Sequence, residues 1–358
     1  MEENKEIQVQ ETVDTEQPLD KNIKLMSPTR MVVRRFFRSR LSIIGLIMVV
    51  GLFLFSFVGP LFYADNTADY SDDAKWGEIE LDESGKTEYA ESTTTYTVNG
   101  VEYTVRQTTE KYLKDNFLAE PSAEHILGTD NEGYDIFVRL MYGGRISLTV
   151  SFIAVFLITI LGVILGGVAG YFGGWIDNLI MRVCDVLMCL PGVPILLIVS
   201  TALDSPQYGI PAEYRIYLLM AFLSLISWPG VARLVRGQIL SLREQEYMVA
   251  AEAMGYSTGR KIFKHLIPNV MPQLIVQMSL SLGSMILYEA TLSYLNLGVK
   301  APYAAWGSMI NIISTNQDIL QNHLMVWVPA GVCIVIAVLG FNFVGDGLRD
   351  ALDPKARR

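Results

Sequence analysis

The sequence predicts an all-α membrane protein with six transmembrane helices and a small extracytoplasmic insert of mixed α+β structure. Hydrophobic residues make up 51% of the 358 positions, and they cluster in long blocks. At a rise of about 1.5 Å per residue, roughly 20 helical residues cross a hydrocarbon core of about 30 Å. Six blocks approach or exceed this length: 41–62, 148–172, 179–202, 214–231, 274–297 and 324–344. A soluble helix is rarely apolar on every face for so long.

The two ends of the chain predict the orientation of these spans. Residues 1–29 are polar and mildly acidic, which is typical of a disordered tail. Residues 30–62 combine a basic segment with the first transmembrane helix. The basic side chains just before that helix are Arg30, Arg34, Arg35, Arg38 and Arg40. By the positive-inside rule this segment is cytoplasmic, and six spans return the basic tail at 348–358 to the same side. We therefore expect a multi-pass plasma membrane protein with both termini in the cytoplasm.

Residues 63–146 form the predicted extracytoplasmic insert. Its first half is strongly acidic, and Asn99-Gly100 separates two runs in which apolar and polar residues alternate. This dipeptide favours the two-residue turn of a β-hairpin, which would pair Val98 with Val101 and Tyr96 with Tyr103. The segment after the hairpin has a helical pattern. The insert is either a tolerated loop insertion or a docking element for a partner.

The remaining spans make up a predicted membrane core at 147–347. Gly162, Gly166 and Gly170 recur at every fourth position, a pattern that favours close packing of helices and that also occurs in dimerising spans. Pro191 and Pro194 are expected to break the third span, because proline lacks the amide hydrogen that a helix needs.

Two acidic residues in the predicted spans are candidates for a translocation path. A charge in the middle of a bilayer costs roughly 3 kcal/mol on insertion scales, so each one needs a partner or water. Asp185 follows Arg182 at a spacing that allows a structural ion pair. Glu289 has no cation within one helical turn and would otherwise be a structural hydrogen-bonding group. Both alternatives remain open for each residue.

The sequence shows no sign of an enzyme active site. Ser84-Gly85-Lys86-Thr87 ends like a phosphate-binding loop, but Glu80 replaces the first glycine and further acidic residues precede it. The three histidines lie far apart in the sequence, and the three cysteines, all in apolar blocks, have no zinc spacing. We expect no metal site, no cofactor and no nucleic-acid partner for this chain.

A cytoplasmic loop at 233–269 carries the most specific pattern in the sequence. Its part EYMVAAEAMGYSTGRKIFKHLIP predicts two short helices around a glycine turn, a protruding knob. It resembles the EAA loop of binding-protein-dependent ABC importers. Ala250, Ala251, Gly255 and Pro268 fall on the spacing of that loop, and His265 takes one of its aliphatic positions. Val249 replaces the usual glutamate, which is often absent from the oligopeptide and dipeptide permease branch.

Other runs resemble the C-type subunit of that branch. Those runs, in order along the chain, are RRFFRSRLSIIGLI, AEHILGTDNEGYDIFVRLMYGGRISL, AGYFGGWIDNLIMRVCDVLMCLPGVPIL, SWPGVARLVRGQILSLREQEY, EATLSYLNLGVKAPYAAWGSMI and FNFVGDGLRDALDP. Tyr134 stands where that family usually has arginine, and the acidic insert is longer than usual. The resemblance implies one N-terminal helix followed by a five-helix permease core.

The resemblance also implies partners and roles. A homologous B-type permease subunit would share the translocation path for oligopeptides or dipeptides delivered by an extracytoplasmic peptide-binding protein. Two ATP-binding-cassette subunits would bind ATP and magnesium and would contact the knob. The residues implied for that contact are Glu246, Ala250, Ala251, Gly255, Lys264, His265 and Pro268. A nickel importer of the same family is the alternative substrate class.

Two other classes of protein remain as alternatives. A channel or a secondary transporter would need no ATPase, and the knob is the feature that argues against it. A membrane-anchored receptor would depend mainly on the insert, although one span would be enough to anchor it.

Overall fold

A computed structural model describes residues 28–63, 89–98, 101–110, 118–122, 125–205, 209–299 and 303–352. The predicted cytoplasmic tail at 1–29 lies outside the described residues except for its last two positions. Most of the acidic first half of the insert and the end of the C-terminal tail also lie outside the described residues.

The first span is assembled from short helical pieces. Helix α1 (Pro28–Phe36) carries Arg30, Arg34 and Arg35. Helix α2 (Arg40–Phe53) follows its N-cap residue Ser39, whose hydroxyl accepts a hydrogen bond from the amide of Ser42. A π-helical turn (Leu54–Val58) and α3 (Pro60–Tyr63) complete the span. The side chain of Phe36 packs near Gly347 at the far end of the chain, so the first and last described segments are neighbours.

The predicted hairpin is present with the predicted register. Strands β1 (Tyr89–Val98) and β2 (Val101–Glu110) are antiparallel, and Val98 pairs with Val101 while Tyr96 pairs with Tyr103. The turn residues Asn99 and Gly100 lie outside the described residues. The placement of this insert on the outer side of the membrane stays a prediction.

A polar loop introduces the longest helix, α4 (Ile136–Phe172). The Asp135 carboxylate accepts a hydrogen bond from the amide of Val138 at 2.9 Å and caps the helix. Asp130 accepts bonds from the amides of Glu132 and Tyr134 and pairs with Arg139. Burial, assisted by nearby Glu132, raises the pKa of the Tyr134 phenol.

Helix α4 begins ten residues before the predicted end of the insert at 146. Hydropathy alone did not predict this start, because the first turns of the helix contain the charged residues Arg139 and Arg145. Arg139 is buried against Asp130, and the Arg145 guanidinium lies 5.2 Å from the centre of the Tyr142 ring. The segment is therefore helical and largely buried despite its charges.

The next two spans are both bent. Helix α5 (Gly174–Cys189) and α6 (Gly192–Leu203) meet at an angle of 80°, with Pro191 at the break as predicted. Helix α7 (Ala212–Ser227) and α8 (Pro229–Arg243) meet at 40°, with Pro229 at the start of the second helix.

The second part of the predicted cytoplasmic loop is helically continuous with the apolar segment that follows it. Helix α9 (Glu246–Ala253) is separated by a turn from α10 (Thr258–Arg260), which runs through a π-helical turn (Lys261–Leu266) into α11 (Ile267–Tyr294). The whole stretch Thr258–Tyr294 qualifies as one 37-residue candidate span.

Two short helices precede the last span. Helices α12 (Trp306–Thr315) and α13 (Gln317–Asn322) lead into α14 (Leu324–Leu352). Helix α12 packs against both α11 and α14, which also pack against each other, and α14 packs along α2.

The described helices confirm the predicted all-α membrane fold. Four helical segments are long and apolar enough to cross a membrane, and there are six if each bent pair is one span: Arg40–Tyr63, Ile136–Phe172, Thr258–Tyr294, Leu324–Leu352 and the two pairs. The count of six and the domain boundaries drawn from the sequence stay predictions.

The glycines of α4 form a seam against α8. A Cβ atom at Gly162 would lie 2.6 Å from Cβ of Val231, and one at Gly166 would lie 2.8 Å from Cα of Ala232. At Gly170 it would lie 2.9 Å from the carbonyl oxygen of Arg236. The glycines at every fourth position therefore serve packing within this subunit, because only a residue without a side chain leaves room for the backbone of α8.

We expect Gly166→Ala to destabilise the protein. The added methyl would meet the backbone of Ala232, and forced overpacking usually costs about 1–3 kcal/mol. The measurement is the melting temperature in detergent, with Gly51→Ala in α2 as the control, because a Cβ there meets nothing within 4 Å. Equal melting temperatures for the two variants would contradict the proposed seam.

Candidate functional site

The structure brings the predicted coupling residues together in a knob, defined here as residues 246–268. Helix α9 buries Met248 and Ala251, three positions apart, against the body of the protein. Glu246 and Ala250 are exposed on the other side of the helix. One face of α9 thus anchors the knob, and the other is free to meet a partner.

Gly255 closes the first helix of the knob. Its φ of +72° is in the left-handed region, which favours glycine. Its amide donates to the carbonyl of Glu252 at 2.9 Å, and the amide of Tyr256 donates to the carbonyl of Ala251 at 3.1 Å. This pair of bonds is a Schellman motif, which ends a helix and turns the chain sharply.

Stacked side chains hold the second half of the knob. The Arg260 guanidinium lies 4.0 Å from the centre of the Tyr256 ring, and that ring stacks on His265 at 5.8 Å. The backbone carbonyl of His265 accepts a hydrogen bond from the side-chain amide of Asn269 at 2.7 Å. Lys264 and Pro268 are exposed.

The knob and the helix before it rest on the C-terminal end of α4. Arg243 donates to the carbonyl groups of Gly170 and Tyr171, each at 3.3 Å. Lys261 lies 3.8 Å from the Glu252 carboxylate and 5.7 Å from the centre of the Tyr171 ring. Cations at this end satisfy terminal carbonyls and oppose the negative end of the helix dipole.

Large apolar side chains project from the knob. Val249, Met254 and Phe263 are 63%, 61% and 74% exposed. Their neighbours include the exposed polar residues Glu246, Glu252 and Lys264. Apolar groups rimmed by polar ones are typical of a surface that another protein covers.

A cavity of about 440 Å³ lies beside the two bends in the spans. Residues on both sides of the break between α5 and α6 line it, including Leu190 and Gly192. Ser227 and Gly230 line it from the bend between α7 and α8, and one face of α11 completes the wall. The volume is within the range of roughly 300–1,000 Å³ for pockets that hold small ligands.

Asp185 lies in an exposed cluster of charges on α5 and α8. Its carboxylate is 2.6 Å from the Arg233 guanidinium and 3.9 Å from that of Arg182. It is two residues from Leu187, which lines the cavity, but Asp185 is not itself a lining residue. The predicted pairing with Arg182 is present, and Arg233 is a nearer partner that only the folded structure supplies.

Glu289 is fully buried away from the cavity. Its carboxylate accepts hydrogen bonds from the hydroxyl groups of Ser147 at 2.9 Å and Ser293 at 2.7 Å. The amide of Trp306 donates to the same Ser147 hydroxyl at 3.2 Å, and the Trp306 indole donates to the carbonyl of Leu140. This Glu289 joint ties α4, α11 and α12 together, which favours the structural alternative.

Sequence reasoning did not identify the exposed apolar tip of the knob or the lining of the cavity. Met254 and Phe263 belong to no motif, and Val249 was noted only as the replacement for the usual glutamate of the EAA loop, although apolar residues in a polar loop were a usable signal. Within the described residues, no group of three His, Cys, Asp or Glu side chains is placed to hold a metal ion.

Two family models match the chain. Residues 159–358 match the binding-protein-dependent transport system inner membrane component family. Residues 27–76 match the N-terminal transmembrane domain of oligopeptide transport permease C. Together these matches cover the first span and the region that holds the knob and most of the cavity.

Curated relatives support the same assignment. The dipeptide transport system permease protein DppC of Alkalihalophilus pseudofirmus is 34% identical over 340 residues, which are 95% of this chain and 94% of that protein. The DppC protein of Bacillus subtilis is 42% identical over 66% of this chain and 71% of its own length. The oligopeptide permease protein OppC of the same organism is 39% identical over 66% of this chain and 74% of its own length.

The matches confirm the predicted resemblance to C-type subunits of the peptide permease branch. The chain therefore belongs to the family of binding-protein-dependent transport system inner membrane components.

Proposed function

We propose that this chain is the C-type permease subunit of an ABC importer for dipeptides or oligopeptides. The observation that carries the proposal is the exposed knob with its glycine-capped turn, in a chain that belongs to a binding-protein-dependent transport family. The names of relatives aligned over most of the chain support peptides as the substrate class.

The knob is the contact with an ATPase subunit. Val249, Met254 and Phe263 enter an apolar groove on the partner, and the polar rim sets the orientation. From Thr258 onward the knob is helically continuous with α11, which lines the cavity. A displacement of the knob can therefore reach the cavity through one helix.

The subunit works by alternating access. Two ATP-binding-cassette subunits bind ATP and magnesium and close, and this closure moves the knobs of the chain and of its B-type sister subunit. The path between the two permease subunits then opens outward to receive a peptide from the extracytoplasmic binding protein. ATP hydrolysis takes place on the partners, so this chain is not an enzyme.

Both termini are placed on the cytoplasmic side of the plasma membrane. The arginines at the start of the first span support this orientation, as does the contact between Phe36 and the region of Gly347. The knob then lies on the same side as the termini and the ATPase. The hairpin insert lies at the outer mouth, where the binding protein docks.

The same kind of importer for nickel is the second candidate. The relatives quoted above are peptide permeases, and uptake of radiolabelled peptide compared with Ni²⁺ in the reconstituted complex separates the two. An ATP-independent channel or secondary transporter would show uptake without ATPase subunits.

We expect Gly255→Val to uncouple ATP hydrolysis from uptake or to prevent assembly. A β-branched residue at this positive φ costs on the order of 1–3 kcal/mol, although a Cβ meets nothing within 4 Å there. The measurements are co-purification of the ATPase and ATP-dependent peptide uptake in proteoliposomes.

Two variants serve as controls for Gly255→Val. Gly255→Asn should retain activity, because asparagine tolerates the left-handed region. Gly259→Val places the same side chain in the same loop, where a Cβ also meets nothing within 4 Å and φ is not left-handed. The assignment of the knob is wrong if Gly255→Val assembles and transports as well as the parent protein.

We expect Glu289→Leu to lower the melting temperature more than Glu289→Gln does. Leucine removes the acceptor of the Ser147 and Ser293 hydroxyls, and an unsatisfied buried polar group costs about 1–3 kcal/mol.

Peptide uptake by Glu289→Gln and by Asp185→Asn, measured at equal membrane abundance, tests whether either residue has a role in the translocation path. Parental rates in both variants would leave the two residues as structural groups.

A further inference from the structure

Four polar side chains form a stripe along α11. Gln277, Ser281, Ser284 and Tyr288 follow one another at intervals of four, three and four residues, which places them on one helical face. At about 1.5 Å per residue the stripe extends roughly 16 Å, about half of the hydrocarbon thickness. All four line the cavity of about 440 Å³. We call this set the α11 stripe.

The α11 stripe lines the cavity along its whole length. Ser284 is exposed and the other three are half-buried in the isolated subunit. In hydrocarbon, polar groups need partners, and these face a cavity rather than a neighbouring helix of the same chain. The rest of the cavity lining is mostly apolar, through Leu187, Leu196, Leu223 and Ile226 among others, and Thr159 and Ser227 are its other polar side chains. The stripe therefore supplies most of the polar side chains of an amphipathic cavity.

The groups of the stripe keep hydrogen-bonding capacity for a ligand. Gln277 donates one amide hydrogen to the Ser281 hydroxyl oxygen at 3.3 Å, which leaves the second hydrogen and the amide oxygen for other contacts. The Ser284 hydroxyl donates to the carbonyl of Leu280 at 3.4 Å and keeps its acceptor sites.

Tyr288 extends the stripe to the break between α5 and α6. A Cβ at Gly192 would lie 3.4 Å from the Tyr288 hydroxyl oxygen. The last turn of α5 also lines the cavity, through Leu187 and Met188. The polar side chains of the stripe thus reach the break between the two helices.

The chemistry of the lining selects one class of ligand. Among the described residues, the lining contains no Asp, Glu, Lys, Arg, His or Cys side chain. Nickel favours imidazole and other nitrogen or oxygen ligands, whereas the thioethers present here suit softer ions such as Cu(I). Neutral amide and hydroxyl groups match the N–H and C=O groups that every peptide carries, whatever its side chains.

We propose that the α11 stripe is the substrate-contacting face of this subunit and that it hydrogen-bonds to the backbone of the transported peptide. This inference rests on the proposed function and deepens it. The apolar wall accepts side chains without selecting them, and the stripe holds the part of the substrate that does not vary.

The first test removes the hydrogen-bonding groups. The variant Gln277→Leu/Ser281→Ala/Ser284→Ala is reconstituted with its partners, and single-turnover uptake of a labelled tripeptide is measured with saturating loaded binding protein. We expect uptake to fall about tenfold or more, as loss of two or three neutral hydrogen bonds predicts. ATP hydrolysis should persist, because the knob is unchanged.

Ser279→Ala is the matched control. Ser279 is on the same helix but does not line the cavity, and its hydroxyl donates to the carbonyl of Ile275 at 2.9 Å. Uptake by this variant should equal that of the parent. The inference is overturned if the triple variant transports the tripeptide at the parental rate. A parent complex that transports no peptide would instead overturn the proposed substrate class and the backbone contact with it.

A second test measures access of water to the stripe. In a background without Cys184, Cys189 and Cys333, cysteine is introduced at Ser281, Ser284 or Ser279. A membrane-impermeant methanethiosulfonate should label the first two positions at least tenfold faster than the third. Equal labelling rates would show that the stripe does not face an aqueous path and would overturn the inference.

Discussion

The close approach of α4 and α8 is the constraint on which the other elements depend. Glycines on α4 allow the backbone of α8 to lie against it, and α8 leads directly into the knob. Arg243, at the end of α8, then caps the last carbonyls of α4. The base of the knob is thereby fixed to the longest helix in the subunit, and α11 leaves the knob as one continuous segment.

A bilayer supplies no water to buried polar groups, and this subunit meets that condition in two ways. Some polar groups in the spans are satisfied by other side chains of the subunit, as Glu289 is by two serines and as Asp177 is by Arg236 at 2.6 Å. The α11 stripe differs because its groups line a cavity. Glu289 and Asp177 have partners within the subunit, which is typical of structural groups. The α11 stripe faces the open space of the cavity, which is why we propose that it contacts substrate.

Local chemistry was enough to predict much of the fold. Long apolar blocks predicted the spans, Asn99-Gly100 predicted the register of the hairpin, and Pro191 predicted the position of the sharpest bend. The start of α4 was missed because Arg139 is neutralised by tertiary contact with Asp130. The partners of Glu289 could not be predicted either, since Ser147 is 142 residues away in the sequence and Trp306 approaches from another helix.

The exposed tip of the knob also has a consequence for the life of the protein in the cell. Val249, Met254 and Phe263 project from the cytoplasmic end of the fold in the orientation proposed above. If the knob contacts an ATPase as proposed, a subunit made in excess of that partner would present these apolar side chains to chaperones and proteases, which act on exposed apolar surface. Selection would then favour matched synthesis of the components, because degradation would remove the copies that find no partner.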